Sequence, residues 1–263
     1  MPFATRENVR IHYEAAGDGP PVLVATGAGT NLAMWRMAGW VDALPNHRVI
    51  LADPRGHGES DKPRTVEAHR VEEYAEDILA ALTAAGESRS VVFGISDGSQ
   101  IAVALAQAHP DVVTAIVDLD GWDDRDLCDD PIRADRLEWA NAVRAAGWPS
   151  YLKNIWGGRL VADRRPLVQE FMSADTEMVA LEAESWTRWK GPMSVLPRLK
   201  MPILRLVSGT RSREELDRIQ SLRLANIETH IFPGVEHFDL CTEPVRSKAI
   251  VNQFLERVRR PAT

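Results

Sequence analysis

Ser90-Val91-Val92-Phe93-Gly94-Ile95-Ser96-Asp97-Gly98-Ser99-Gln100 is the stretch from which the rest of the chain can be read. Ser90 to Phe93 has the apolar, β-branched character of a short buried strand, and Gln100 to His109 reads as a helix. Between them lies Gly-x-Ser-x-Gly, so strand, sharp turn and helix follow one another without a gap. Such a turn strains its central residue, and Gly94 and Gly98 leave space where a Cβ would clash. It would lift the Ser96 hydroxyl clear of the sheet. It would also set the Asp97 N–H at a helix N-terminus, where backbone dipoles favour negative charge.

Outward from this turn the chain alternates. Val9–Tyr13, Pro21–Ala25, Val49–Asp53 and Val113–Leu119 read as strands, and Val71–Ala84 carries apolar residues at helical spacing. After a long interruption the alternation resumes, with strands at Pro202–Val207 and Ile227–Phe232 and helices at Arg213–Leu224 and Glu243–Arg259. Continuous apolar strands separated by helices predict an α/β fold with a parallel sheet covered on both faces. The interruption, residues 121–196, has helical periodicity at Pro131–Ala146 and Asp175–Trp189 and no convincing strand. It reads as a helical cap inserted into a core made of residues 1–120 and 197–263.

Composition narrows the function classes. The 263 residues are 44% hydrophobic and 26% charged, with a net charge of -7. That balance is ordinary for a globular protein, and without a basic run it points to no nucleic-acid partner. No segment approaches the ~20 apolar residues of a membrane helix, and the first residues lack a signal-peptide core. A cytoplasmic location and no membrane partner are therefore expected. The two cysteines, Cys128 and Cys241, fit no metal-ligand spacing and read as free thiols. The expected partner is a small-molecule substrate, with no metal and no cofactor; a homodimer is left open.

The chain resembles the α/β-hydrolase superfamily. The residues that carry the likeness are Gly94-Ile95-Ser96-Asp97-Gly98, Asp53-Pro54-Arg55-Gly56-His57-Gly58-Glu59-Ser60 and Pro233-Gly234-Val235-Glu236-His237-Phe238. It implies a mostly parallel eight-stranded sheet with helices on both faces and an inserted helical cap. Ser96 is then the nucleophile, and His237, after the last strand, its base. His57 sits in a turn and reads as structural; His12, His47, His69, His109 and His230 read as surface or strand-edge residues. The resemblance implies an acid after the penultimate strand, but Ser208-Gly209-Thr210-Arg211-Ser212-Arg213 holds no carboxylate, and Glu214 and Glu215 suit a first helical turn. Asp118 and Asp120 end the preceding strand. Alternation puts both on one face and does not choose between them. Asp120, at the strand tip, is the candidate. Haloalkane dehalogenases and zearalenone-type lactonases resemble this chain in taking their acid there.

The second oxyanion donor is expected from Thr26-Gly27-Ala28, with the Ala28 N–H joining that of Asp97 and the Thr26 hydroxyl replacing the side-chain hydrogen bonds of a missing histidine. The Asp97 carboxylate either faces the pocket or acts as a helix-N-terminal acid. Six of the eight tryptophans lie between Trp122 and Trp189. Trp122, Trp186 and Trp189, with Gly27, are the candidate substrate-binding residues, and Met172, Met178 and Met193 an adaptable wall. Trp139, Trp148 and Trp156 complete the six. Asp123 and Asp124 read as cap surface. Arg188-Trp189, near the cap's end, adds to the likeness with the zearalenone-type branch. The expected activity is hydrolysis of a carboxylic ester or lactone with a bulky apolar or aromatic group. The alternatives are carbon–carbon bond hydrolysis on the same fold and a non-catalytic ligand receptor. Epoxide hydrolase and dehalogenase chemistry is disfavoured, because those relatives carry Asp where Ser96 stands.

Overall fold

The computed structural model describes residues 2–122, 125–154, 165–221 and 224–259. Eight strands make one sheet: β1 (Phe3–Arg6), β2 (Val9–Ala16), β3 (Pro21–Ala25), β4 (Arg48–Ala52), β5 (Ser90–Ile95), β6 (Val113–Leu119), β7 (Ile203–Gly209) and β8 (Ile227–Pro233), in the order β1-β2-β4-β3-β5-β6-β7-β8. The β1–β2 and β2–β4 pairs are antiparallel and the remaining pairs parallel. The mostly parallel eight-stranded sheet expected from the sequence is present. The hairpin strand β1 is an addition: its four residues are too few to show a period.

Alternation along each strand divides the core in two. Val22 and Val24 of β3, with Val117 and Leu119 of β6, pack on one face. Leu23, Ala25 and Ile116 pack on the other. Helices α1 (Leu32–Met37), α2 (Trp40–Ala43) and the C-terminal helix (Lys248–Arg259) supply the first layer. Helices α3 (Val71–Ala84) and α4 (Gly98–Ala108) supply the second. Between β6 and β7 the chain leaves the sheet, and the insert includes α5 (Asp130–Ala146), α6 (Pro166–Met172) and α7 (Thr176–Trp186). Asp175 caps α7, accepting the N–H groups of Glu177 and Met178. Then come α8 (Arg213–Ser221), α9 (His237–Thr242) and the C-terminal helix, which is α10. The helix expected over Glu243–Arg259 is two pieces, a single 3-10 turn at Pro244–Arg246 and then α10.

The histidine expectations need correction. His12, His47 and His69 are buried rather than at the surface. His12 and His69 find polar partners there, in Asp53 and in Tyr74 and Pro63. The Asp53 carboxylate takes a hydrogen bond from His12 Nδ1 at 2.8 Å and also gathers the N–H groups of Leu32 and Glu59. That explains the 53–60 motif: one buried carboxylate ties the end of β4 to β2 and to the start of α1. Arg55 forks onto Asp77 of α3 at 2.6 and 2.7 Å. His57 reaches Glu182 of α7 at 2.8 Å, joining core and insert. Cys128 and Cys241 are free.

Candidate active site

The chain leaves β3 towards one edge of the sheet and β5 towards the other, yet the two strands are neighbours, with Ala25 beside Gly94. The crevice at their C-terminal ends is the switch point where open α/β sheets receive ligands. Ser96 stands there. Its φ is +54°, the left-handed strain that a tight strand-to-helix turn imposes on a non-glycine residue. The flanking glycines are required by space. A Cβ on Gly94 would lie 2.4 Å from Ser99 Cα, and one on Gly98 would lie 2.1 Å from the Ala25 carbonyl oxygen.

The remaining groups arrive from two other strand ends. His237, at the first turn of α9 after β8, places Nε2 3.0 Å from Ser96 Oγ. Its Nδ1 is 2.7 Å from Asp120 Oδ2. An ionised carboxylate only accepts, so Nδ1 carries the proton and donates it to Asp120; Nε2 is left to accept from the serine hydroxyl. Asp120 is 3% exposed, and its second oxygen accepts the Ser208 N–H at 2.9 Å and Arg211 Nη2 at 3.0 Å. Burial pushes its carboxyl up, but the hydrogen bond and charge of His237, the Arg211 cation and Ser208 outweigh that and hold it below the usual carboxylate range.

Asp118 points elsewhere. Asp120 has φ +56°, which breaks the alternation that would have aligned the two side chains. Asp118 Oδ1 accepts the Gly121 N–H at 2.8 Å, and Oδ2 lies 3.4 Å from Nε of Arg205, its neighbour across the β6–β7 pair. Burial raises its carboxyl to about 6 against the pull of Arg205. Glu214 and Glu215 are in the first turn of α8. Glu215 and Ser212 satisfy each other's N–H groups at 2.9 and 3.2 Å, a capping box that occupies both.

Gly27 lies against the serine: a Cβ there would be 2.9 Å from Ser96 Cβ and 3.5 Å from the Asp97 nitrogen. The Thr30 N–H and hydroxyl both bond the Gly27 carbonyl, at 3.1 and 2.6 Å, and brace this turn. Among the described residues no backbone acceptor takes the N–H of Ala28 or of Asp97. The Thr26 hydroxyl is buried and bonds to nothing among the described residues, so it does not make the expected hydrogen bonds. The Asp97 carboxylate is gripped in a two-pronged ion pair by Arg136 of α5, at 2.6 and 3.2 Å. It caps no N–H of α4. Among the described residues no group of three His, Cys, Asp or Glu could hold a metal ion.

A family model for the alpha/beta hydrolase fold matches residues 20–244. The chain belongs to this family. A proline iminopeptidase of Xylella fastidiosa (strain 9a5c) is 29% identical to this α/β-hydrolase over 204 residues, 72% of this chain and 60% of that one. The chain spans about half the length of the curated relatives it matches. A thermophilic esterase from Thermogutta terrifontis superposes with a TM-score of 0.82 at 22% identity, over 98% of this chain and 97% of the other. The enol-lactonase from Burkholderia xenovorans LB400 does so with a TM-score of 0.79 at 22% identity, over 97% and 100%. At such identities these two likenesses show the shared fold.

The tryptophans of this α/β-hydrolase are not where the sequence reading put them. Trp186 is 0% exposed and meets Tyr74 of α3 edge-on, so it presents no surface to a ligand. Trp189 is buried in the same cluster. Trp122 is buried with the Arg205 guanidinium 4.7 Å from its ring centroid. Met178 is fully buried as well, whereas Met172 and Met193 are partly buried. Arg188 is exposed, 3.5 Å from Glu67. Asp123, Asp124 and Trp156 lie outside the described residues. The aromatic side chains beside the histidine are others. Phe238 packs on Phe171, Phe171 on Trp148, and Trp148 on Trp139 and Tyr151. Phe238 directly follows His237, which was the sequence signal for this cluster.

Proposed function

We propose that this chain is a serine hydrolase that cleaves a carboxylic ester or lactone bearing a bulky apolar or aromatic group. The observation that carries the reading is the unbroken relay from Ser96 through His237 to Asp120, with contacts of 3.0 and 2.7 Å. A serine hydroxyl is a weak nucleophile unless a base takes its proton, and His237 Nε2 is placed to do so. Ser96 Oγ attacks the carbonyl carbon and its proton passes to His237. Asp120 stabilises the resulting imidazolium without taking the proton. The N–H groups of Ala28 and Asp97 receive the oxyanion; each such donor supplies about 3 kcal/mol of transition-state stabilisation. His237 then gives the proton to the leaving alcohol, and a water activated the same way releases the acyl group from Ser96. This chemistry needs no cofactor. In a lactone the alcohol stays attached to the acyl chain, so a single ring-opened product results.

Three further observations support the reading. The left-handed φ of Ser96, +54°, is the conformation a tight strand-to-helix nucleophile turn imposes. The esterase and the enol-lactonase share the fold over nearly the whole chain. Phe238, partly exposed and directly after His237, supplies an apolar side chain beside the base, in place of Trp186 and Trp189. The insert, residues 121–196, serves as the cap, held over the core by the Arg136–Asp97 and His57–Glu182 pairs.

The test is turnover of a panel of esters and lactones, aromatic ones included, by the wild type and Ser96→Ala. The expected result is activity that Ser96→Ala lowers by about 10⁴-fold or more, together with labelling of Ser96 by a fluorophosphonate. No turnover and no labelling would favour a ligand receptor. Turnover that survives Ser96→Ala would overturn the nucleophile.

A further inference from the structure

Two carboxylates end β6, and two arginines answer them. Asp118 faces Arg205 across the β6–β7 pair, at 3.4 Å. Asp120 faces Arg211, whose Nη2 and Nε lie 3.0 and 3.2 Å from Oδ1, while Nη2 also reaches the Asp120 carbonyl at 3.4 Å. Arg211 stands in the β7–α8 loop, the segment whose lack of a carboxylate made the acid hard to find. Its own side chain is one-fifth exposed, against none for that of Asp120. We infer that Arg211 is a positioning residue: it offsets the second carboxylate at the end of β6 and locks Asp120 Oδ1, so that Oδ2 remains ionised and aimed at His237.

The geometry carries the argument. A carboxylate two residues from another, both removed from water, is pushed towards its neutral form. A protonated Asp120 could donate to His237 and so favour the wrong tautomer, with the proton on Nε2 and no lone pair for Ser96. The groups acting on Asp120 come from each neighbouring element. Asp118 lies on the same strand and Arg205 beside it on β7. Arg211 and the Ser208 N–H come from the end of β7 and the loop after it, with Glu215 of α8 behind Arg211. His237 and Cys241 come from α9. Arg211 is the cation in direct contact with Asp120. Of the two carboxylate oxygens it grips Oδ1, alongside the Ser208 N–H, and leaves Oδ2 to the imidazole. A planar, permanently charged fork suits that task.

This inference rests on the serine-hydrolase reading for its consequence, but one readout does not. Carboxyl-carbon NMR of aspartate-labelled protein, with Asp120 assigned by Asp120→Asn, follows its titration without any turnover. In the wild type Asp120 stays ionised throughout the range in which the protein is folded. In Arg211→Gln its titration moves up into that range, and in Arg211→Lys it stays below it. On a substrate from the ester and lactone panel, Arg211→Gln lowers kcat by tenfold or more with KM within about twofold, and Arg211→Lys recovers most of the loss. An Asp120 titration unmoved in Arg211→Gln overturns the inference. If Arg211→Gln does not fold, Arg211→Met decides in its place: an Asp120 that stays ionised across the folded range overturns the inference, and one that titrates within it supports it. A wild type without turnover would defeat the hydrolase reading and leave the titration result standing.

Discussion

Asp118 and Asp120 differ in one backbone angle and in everything that follows from it. Two positions apart on a strand, they should share a face. The left-handed φ of Asp120 sends its carboxylate to His237 while Asp118 turns to Arg205. Only an ionised Asp120 can hold the His237 tautomer that leaves Nε2 free to accept, and an asparagine in its place can present an N–H instead. Asp120→Asn is therefore expected to lower kcat by about 10³- to 10⁴-fold with the far-UV circular dichroism unchanged. Asp118→Asn keeps an acceptor for the Gly121 N–H and should leave kcat within about tenfold. Steady-state kinetics on the two variants decide it, and equal losses would remove Asp120 from its assigned place. The pattern of residues held both candidates. Its place at the strand tip favoured Asp120; the dihedral angle that sends its carboxylate to His237 is something no alternation of apolar and polar side chains records.

The strand–turn–helix unit around Ser96 was legible because its demands are local. Gly94 and Gly98 are needed where β5, α4 and the end of β3 come within van der Waals contact. A methyl group 2.1 Å from the Ala25 oxygen cannot be relieved by a side-chain rotation, because both partners are backbone. Gly98→Ala should thus displace α4 from β3 and destabilise the protein by about 3 kcal/mol. A urea unfolding midpoint equal to that of the wild type would contradict this packing. The insert was less legible. The helix expected over Asp175–Trp189 ends at Trp186; Trp189 follows in a turn in which its N–H bonds the Trp186 carbonyl at 3.0 Å, and both side chains are buried in one cluster. Spacing says which side chains share a face, not what the face meets. Here it meets Tyr74 of α3.

Burial in the folded chain also sets the response to pH. His69 is buried with Nδ1 2.8 Å from the Tyr74 hydroxyl and Nε2 2.7 Å from the Pro63 carbonyl oxygen. Burial lowers its pKa to about 4, against a smaller upward pull from Pro63. Between pH 6.5 and 4 the unfolded chain then binds this proton and the folded one does not, so stability falls as pH falls, by up to about 3 kcal/mol. Asp118 acts in the opposite sense. Its carboxyl, raised to about 6, takes up a proton in the folded state before the unfolded one does, so stability grows as pH falls from 6 to 4. The two contributions nearly offset over that window. His69→Gln should therefore gain stability relative to the wild type as pH falls, and urea unfolding at pH 7, 5.5 and 4.5 measures the difference. A variant whose stability falls in parallel with the wild type would refute the assignment of His69. What was fixed by the amino-acid order was whatever nearest neighbours enforce: alternating strands and helices, the glycine-flanked serine turn, a histidine after the last strand. The folded chain alone decided how the Asp120 carboxylate turns to His237 while Asp118 turns to Arg205, that Arg211 and Arg136 hold the two aspartates around the serine, and that Trp186 packs against Tyr74. Each of these joins groups dozens of residues apart, and a contact across that separation is set by how the sheet and its helices pack, which no local pattern encodes.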